Sequence, residues 1–384
     1  MLRSKPRLRK NLNLNLNLNL VLAVRRLFRY LEPNFFAGLI EDPCLVVRDR
    51  PIHRSIMLDC GSLHHVAKRE LKPIRAIFVS HAHMDHFMGF DVFVRQVHAS
   101  PRLIELFGPP GFAGRVKSRL SGYDWNLAEP YWCTFLVHEV HPGRLVSFEF
   151  PGPEGFPCRT CDERIRTGNT IYRHNHLEVA AELLDHGLPV LAFRVTETRL
   201  FSVDEQKMNE LGLVSGEWLR ELKRRFFADW SDDGPLLVAR RRGGVVTEET
   251  VASGEMLYNN DIREEPQPGG IGYLTDIGFT PENRDKAVRF LSGVTLLVGE
   301  CAFLAEDRHK ARASHHLCSE DVNELLSMLR PRFFLPMHLS KTYLGRSSEL
   351  YAELDPPPGA TILRLPEHVA PRPLFACEVP LHRF

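Results

Sequence analysis

The stretch SHAHMDHFMGF, residues 80–90, indicates the fold class of this chain. Within six positions it places four side chains of the metal-ligating type: His81, His83, Asp85 and His86. Imidazole and carboxylate groups are the usual ligands of zinc and related metals, whereas core packing has no use for four adjacent polar groups. The pattern therefore predicts a metal site, and a solvated histidine-rich loop is the alternative.

The flanking residues predict where this cluster lies. AIFVS at 76–80 is β-branched and aromatic, which is typical of a buried strand. FMGFDVFVRQVH at 87–98 carries apolar residues at helical spacing. We therefore expect the cluster on a strand-to-helix loop, where several ligands can converge on one point.

Length and composition indicate a globular protein. The chain has 384 residues, of which 43% are hydrophobic and 25% charged, enough for one large domain or two. No apolar run approaches the roughly 18 residues needed to cross a bilayer, so we expect no membrane span. The eight cysteines are scattered and no secretory signal is evident, which favours reduced thiols and a cytoplasmic location. Cys158 and Cys161 form a Cys-x-x-Cys pair, for which half of a zinc site, a redox pair and a reduced loop pair stay open.

Charge is distributed unevenly along the chain. Residues 1–30 contain eight basic residues and no acidic one, which leaves 41 basic against 48 acidic residues in the remainder. A nucleic-acid-binding surface would therefore have to be local. The same segment contains the repeat NLNLNLNLNLVLAV at 11–24, and we expect residues 1–30 to form a disordered, low-complexity basic tail. An extension upstream of the true start, a strand and an organellar transit peptide are the alternatives.

Beyond the tail, strand patterns alternate with helix patterns, which predicts an α/β fold over residues 31–384. Residues 199–268 differ from this pattern. VDEQKMNELG at 203–212 and SGEWLRELKRRFFADW at 215–230 are helical in pattern, and polar segments follow them. We interpret residues 199–268 as an inserted arm.

Three further ligand-type residues stand at the ends of predicted strands. His186 precedes the strand VLAFRVTE, Asp276 follows a glycine-rich strand, and His338 follows the apolar run FFLPM. A lone histidine is more often a surface or satisfied core residue than a ligand. Because all three stand at strand ends in a chain that already carries the dense cluster, we predict that they complete the metal site.

The order His-x-His-x-Asp-His, His, Asp, His resembles that of the metallo-β-lactamase superfamily and, within it, the ribonuclease Z family. Five further segments resemble that family's motifs, and the similarity extends over about residues 36–345. These segments are LDCG at 58–61, FGPPGF at 107–112, LDHGLPVLAFRV at 184–195, GECAF at 299–303 and SHHL at 314–317. The resemblance implies a four-layer αββα sandwich.

The resemblance also implies a role for each site residue. One zinc ion would be held by His81, His83 and His186, a second by Asp85, His86 and His338, and Asp276 would bridge them. Mn²⁺ and Fe²⁺ are alternative occupants. Asp85 would also orient or deprotonate the attacking water, and Asp59 would orient a ligand histidine. Glu300 would hold His316, whose imidazole would donate a proton to the leaving 3′ oxygen, with a surface carboxylate as the alternative for Glu300. We select His316 over His315 because it precedes His338 by 22 positions, the family's usual spacing.

By the same resemblance, the chain is expected to be a zinc-dependent phosphodiesterase that cleaves RNA, with the 3′ trailer of precursor tRNA as substrate. The alternatives are a hydrolase of a small phosphodiester or other ester, and a binding protein on an inactive scaffold, which the complete ligand set disfavours. Arg220, Lys223, Arg224 and Arg225 are predicted to contact an RNA backbone, or else to form a solvated helix face. Thr342 stands where the family carries an arginine, for which Lys341 or Arg346 is a candidate substitute. A homodimer is a further alternative for the assembly.

Overall fold

The computed structural model of the chain describes residues 28–174, 176–265 and 268–369. The predicted Asn-Leu repeat, residues 11–24, lies outside the described residues. The chain divides into two compact units: Glu197–Pro268, here called the arm, and the described residues on either side of it, here called the body. The predicted insertion, 199–268, falls within the range of the arm, and its description as an insertion into one hydrolase domain stays a prediction.

The strands and helices of the described residues alternate along most of the body. The strands are β1 (Leu31–Phe35), β2 (Leu45–Asp49), β3 (Arg54–Leu58), β4 (Ile74–Phe78), β5 (Leu103–Gly108), β6 (Thr134–His141), β7 (Arg144–Pro151), β8 (Arg159–Ile165), β9 (Thr170–His174), β10 (Leu177–Asp185), β11 (Pro189–Glu197), β12 (Leu236–Arg242), β13 (Val245–Val251), β14 (Gly270–Leu274), β15 (Leu296–Glu300), β16 (Phe333–Met337) and β17 (Thr361–Ile362). The helices are α1 (Lys68–Leu71), α2 (Met84–Phe87), α3 (Phe90–Val97), α4 (Phe112–Leu120), α5 (Glu205–Glu210), α6 (Glu217–Phe227), α7 (Gly254–Met256), which a π-helix over Leu257–Ile262 follows, α8 (Pro281–Leu291), α9 (Arg308–Ala313), α10 (Ser319–Leu329) and α11 (Ser347–Glu353).

Two mixed sheets form the middle of the body. Within the described residues, the first has eight strands in the order β1 to β8, and β3 to β6 within it run parallel. The second has seven strands in the order β17-β16-β15-β14-β11-β10-β9, and β14 to β17 run parallel. The carboxyl ends of parallel strands meet at one edge of a sheet, where functional side chains gather.

Apolar side chains fill three layers around these sheets. Phe78 of β4 and Phe193 of β11 belong to a core that both sheets share. On the other face of the first sheet, Ile77 packs with residues of α3 and α4, and on the other face of the second sheet Leu297 packs with residues of α8 and α10. The order helix, sheet, sheet, helix is the αββα sandwich, so the predicted fold class is confirmed.

The strand before the histidine cluster shows why this sequence folds as predicted. Ala76 and Phe78 belong to the core between the sheets, whereas Ile77 and Val79 belong to the core beneath the helices. A strand buried on both faces requires a continuous apolar run, which the segment AIFV provides. Among the described residues, no helix is both long and apolar enough to cross a membrane.

The arm has a hydrophobic core of its own, which includes Trp218, Leu222 and Tyr258. Its two predicted helices are confirmed as α5 and α6. The hairpin β12–β13 was not predicted, although its turn is Gly243-Gly244 and both glycines have positive φ, 58° and 85°. A two-residue turn of this kind requires such conformations, so the Gly-Gly pair was a usable signal.

Candidate metal centre

The predicted ligands converge in three overlapping groups at one place in the body. Within each group, one ligand atom per residue lies within 4.8 Å of those of all the other members. The groups are His81, His83, His186 and Asp276; Asp85, His86 and His338; and Asp276, Glu300, His316 and His338. Every metal ligand predicted from the sequence is therefore a member of at least one group, and Asp276 and His338 each belong to two.

Strand ends bring these residues together. His81 follows β4, His186 follows β10, Asp276 follows β14 and His338 follows β16. The backbone of His338 has a φ of 63°, a left-handed conformation that costs a non-glycine residue energy. Such strain, held in place by the surrounding fold, is typical of functional sites.

Asp276 lies at the centre of the cluster. Its Oδ2 is 3.2 Å from Nε2 of His86, 3.7 Å from Nε2 of His81 and 3.9 Å from Nε2 of His186, and its Oδ1 is 3.4 Å from Nδ1 of His338. Burial alone would raise the pKa of this carboxyl, but His338 and His86 hold it well below its ordinary value. The carboxylate is therefore ionised, the form that binds a metal.

The polar atoms at the centre fit divalent metal ions. Nε2 of His86 and Nδ1 of His338 are buried, and neither has a hydrogen-bond partner within the described part of the chain. Leaving a buried nitrogen unpaired costs about 1–3 kcal/mol, which a coordinated metal would offset. Burial lowers the pKa of His81 to about 2, which keeps this imidazole in the neutral form that ligates metals.

Asp59 fixes the orientation of His86. Its carboxylate accepts hydrogen bonds from Nδ1 of His86 at 2.7 Å, from the backbone N–H and hydroxyl of Ser80 at 2.7 and 2.8 Å, and from the hydroxyl of Tyr273 at 2.9 Å. Because Nδ1 is the donor, Nε2 is the nitrogen that faces the centre. The sequence predicted such a role for Asp59. Tyr273 could not be predicted from a local pattern, because it is distant in sequence. The role of Ser80 was not predicted either.

The loops before and after the centre are joined by a residue that the sequence did not single out. The side chain of Asn283 donates to the carbonyl oxygens of Asp185 at 2.7 Å and Gly278 at 2.8 Å, and accepts from the N–H of Asp185 at 3.0 Å. His186 follows directly and donates from Nδ1 to the carbonyl of His315 at 2.7 Å. Asn283 thus holds the loop of His186 against the loop that follows Asp276.

Buried Glu300 and partly buried His316 form a pair beside the ligands. Nδ1 of His316 is 2.9 Å from Oε2 of Glu300, whose Oε1 accepts the N–H of Ile277 at 2.8 Å. Glu300 is only 1% exposed, which excludes the surface-carboxylate alternative. Burial opposes protonation of His316, but Glu300 outweighs it and raises the pKa of the imidazole to about 9. The pair therefore presents a protonated histidine at neutral pH.

Comparison with known proteins supports the predicted resemblance. Residues 55–204 match the beta-lactamase superfamily domain. Ribonuclease Z of Deinococcus radiodurans is 28% identical over 291 residues, which cover 75% of this chain and 83% of the relative. Ribonuclease Z of Anoxybacillus flavithermus is 24% identical over 307 residues, which cover 77% and 80%. These matches support a protein of the metallo-β-lactamase superfamily that is similar to ribonuclease Z. Among solved structures, the short form of human tRNase Z is similar with a TM-score of 0.45 and 14% identity, covering 81% of this chain and 93% of that one.

The match to the beta-lactamase superfamily domain and the similarity to ribonuclease Z indicate a metal-dependent hydrolase. The predicted family, fold class and enzyme class are confirmed. The structure brings the predicted site residues together, and the role assigned to each of them stays a prediction. The same holds for the identity and the number of the metal ions.

Three of the four basic residues predicted to contact RNA are paired with acidic ones. Arg220 lies 2.9 Å from Glu217, and Arg224 lies 2.7 Å from Glu221. Arg225 also bonds to Glu221, at 2.8 Å. The arm, residues 197–268, contains 10 basic and 15 acidic residues, a net charge of −5. It is not a basic surface as a whole.

The candidates for the missing family arginine are also paired with carboxylates. Lys341 lies 3.5 Å from Asp42, and Arg346 lies 2.8 Å from Glu306 and 2.6 Å from Glu349. Either side chain would have to leave its carboxylate in order to bind a phosphate group.

Proposed function

We propose that this protein is a zinc-dependent phosphodiesterase that cleaves RNA, with the 3′ trailer of precursor tRNA as its substrate. One observation carries the proposal: two ligand sets adjoin the same carboxylate, Asp276, and the ion pair Glu300–His316 lies beside them. The similarity to ribonuclease Z supports the choice of RNA. We also propose that the enzyme acts in the cytoplasm, and as a homodimer.

Each ligand set would hold one zinc ion. His81, His83 and His186 form the first set and Asp85, His86 and His338 the second, with Asp276 shared, and Mn²⁺ or Fe²⁺ would suit the same donors. When bound, the two ions supply positive charge that lowers the pKa of a water and offsets the charge of the scissile phosphate.

The protein's own groups would then move the protons. Asp85 would accept a proton from the attacking water or orient that water. His316, kept protonated by Glu300, would donate from its other nitrogen to the leaving 3′ oxygen. Asp59 would act at a distance, by holding Nε2 of His86 toward the centre.

RNA binding requires contacts outside the centre, for which we propose Arg220, Lys223, Arg224 and Arg225. The carboxylates facing three of these side chains do not exclude this role, because exposed ion pairs contribute only about 0–1 kcal/mol and a phosphate can replace the carboxylate. Arg225 is the least suited, since its guanidinium is mostly buried and also donates to the carbonyl of Gly234 at 2.7 Å.

The acidic arm favours a second candidate, a hydrolase of a small phosphodiester. A substrate of that size needs no basic track along the protein. The two candidates share the metal centre and differ only in what lies beyond it.

One experiment separates them. The purified, zinc-loaded protein is incubated with a tRNA precursor and, in parallel, with a small chromogenic phosphodiester. We expect cleavage of the precursor at its 3′ trailer, with zinc required for both reactions. Cleavage of the small ester alone would replace the ribonuclease by the small-substrate hydrolase, and activity on neither substrate would refute both.

A further inference from the structure

A cavity at the edges of the two sheets of the body has the chemistry of an anion site. Its volume is about 680 Å³, within the range of small-ligand sites. Its polar lining is rich in hydrogen-bond donors and contains a single carboxylate. The residues that define this arginine cavity are Arg164, Arg166, Arg173, Thr170, Tyr172 and Glu105.

Two of the three arginines form no ion pair among the described residues. Within the described residues, the side chains of Arg164 and Arg166 form neither an ion pair nor a hydrogen bond, and Nη1 of Arg166 is buried. Burial lowers the pKa of the Arg166 guanidinium, and the charge of Glu182 offsets this effect only in part. The third, Arg173, bonds to Glu178 at 2.7 Å. A guanidinium left buried and unpaired is costly, so the cavity favours an anion.

The single carboxylate does not neutralise these arginines. Glu105 lies 3.2 Å from Nε2 of His138 and forms no ion pair with an arginine among the described residues. The hydroxyl of Tyr172 is a donor as well, since burial raises its pKa to about 12 and keeps it protonated. The lining therefore offers an anion charged and neutral donors together.

Two arginines of neighbouring strands extend the positive field. Arg54 and Arg75 both interact electrostatically with the phenol of Tyr172. Arg75 is the extra residue of a β-bulge, because Ser55 pairs with Ile74 whereas Ile56 pairs with Ala76. A bulge redirects a side chain, and this arginine lies close enough to the cavity to affect one of its lining residues.

We propose that the arginine cavity binds a phosphate group. Two unpaired guanidinium forks and adjacent hydroxyls match the several oxygens of a tetrahedral anion, and arginine is suited to bidentate contacts with phosphate. The phosphate belongs either to a small phosphorylated compound or to an RNA backbone that contacts the body there. The site does not depend on RNA being the substrate of the metal centre.

The test uses the zinc-loaded, full-length chain and inorganic phosphate. Phosphate also binds metal centres, so calorimetric titration of the wild type is expected to show two classes of site. Arg164→Gln with Arg166→Gln should weaken one class by roughly tenfold or more and retain both metals. Arg164→Gln alone, at an exposed position, should weaken the same class partially. The control is Arg144→Gln, which removes one charge, as Arg164→Gln does, but from the neighbouring strand, where Arg144 is paired with Glu163 at 3.0 Å.

A labelled single-stranded oligoribonucleotide distinguishes the two sources of phosphate. If the ligand is an RNA backbone, the double variant should reduce the slope of log affinity against log salt by up to about 1.4, since each lost contact contributes about 0.7. If it is a small compound, phosphate binding alone should weaken. The proposal is wrong if both variants bind phosphate like the wild type, or if Arg144→Gln weakens binding as much as the double variant. Neither result would bear on cleavage by the metal centre.

Discussion

The metal centre and the arm hold their charged side chains in opposite ways. In the centre most of the groups are buried, with His83 exposed, and Nε2 of His86 and Nδ1 of His338 have no hydrogen-bond partner within the described residues. In the arm, Arg220 and Arg224 are exposed and each is paired with a glutamate one helical turn away. The centre therefore has unused binding capacity, whereas the arm's charges largely neutralise one another.

The two regions differ in the free energy that a bound ligand could offset. Unpaired buried nitrogens and a left-handed backbone at His338 destabilise the protein unless a ligand or the surrounding fold offsets them. Exposed ion pairs separated by one turn cost little to form and little to break. The groups expected to carry out hydrolysis therefore lie in the body. The arm could contribute to binding only if a ligand replaced the carboxylates in its weak ion pairs.

The most severe test of the centre is Asp276→Ala. This change removes the carboxylate that both ligand sets share, so we expect both metals to be lost and hydrolysis of a small phosphodiester to fall roughly 10³-fold or more. Elemental analysis and initial rates measure the two effects. As the control, Asp285→Ala removes an exposed carboxylate of α8 and should retain metals and activity. Two metals retained in Asp276→Ala, or activity that survives chelation, would contradict the shared site.

His316→Ala tests the proton donor. We expect both metals to remain, and turnover to fall about 10²-fold or more on substrates with a poor leaving group but much less on those with a good one. The neighbouring His315→Asn is the matched control, because its backbone carbonyl, not its ring, bonds to His186 and because asparagine tolerates the φ of 58° there. Equal losses on both substrates would assign His316 another function.

Sequence predicted those parts of the centre whose ligands are local or stand at strand ends. His81 and His83 lie on the loop after β4, Asp85 and His86 lie on the short helix α2 that follows it, and a strand end is visible in the sequence as the end of an apolar run. The supporting contacts were not predictable. Tyr273 reaches Asp59 across 214 positions, and Asn283 resembles an ordinary residue of a helix first turn. Such contacts depend on how the two sheets pack, which no local pattern records.

In the arm, the sequence also contains the spacing of helical ion pairs. EWLRELKRR places Glu217 three residues before Arg220, and Glu221 three and four residues before Arg224 and Arg225. That is the spacing of helical ion pairs, so the neutralisation of this basic helix was predictable. What the pattern leaves undetermined is whether a phosphate can replace the carboxylates, which depends on the partner.

Asp321→Asn tests whether a buried ion pair of the body contributes more to stability than the exposed pairs do. Asp321 is 2% exposed and accepts two hydrogen bonds from Arg312, at 2.7 and 2.6 Å, and one from the N–H of Cys318 at 3.0 Å. Burial opposes ionisation, but Arg312 and Cys318 hold the pKa of this carboxyl below its ordinary value. We expect Asp321→Asn to destabilise the protein by about 2 kcal/mol at neutral pH.

The pH dependence of that loss has a definite sign. A lowered pKa stabilises the folded state above the ordinary aspartate pKa of about 4, and the stabilisation disappears as the pH falls toward the folded-state value. The difference in melting temperature between wild type and Asp321→Asn should therefore shrink below about pH 4. Glu320→Gln breaks the neighbouring exposed pair with Arg308 and should leave the melting temperature almost unchanged. A pH-independent difference would show that Asp321 acts through packing.

The smallest expected effect lies in the arm. If RNA replaces the carboxylates there, Arg220→Gln with Arg224→Gln should reduce the slope of log tRNA affinity against log salt by about 1.5, at about 0.7–0.9 per contact. The opposite change, Glu217→Gln with Glu221→Gln, removes the competing carboxylates and should therefore tighten tRNA binding. Weaker tRNA binding in the arginine variant and tighter binding in the glutamate variant would indicate direct contacts. Damage to the helix would instead weaken binding in both variants. Equal salt slopes in all three proteins would show that the pairs never open. The arm would then be a neutralised surface, and RNA, if bound, would be held by the body.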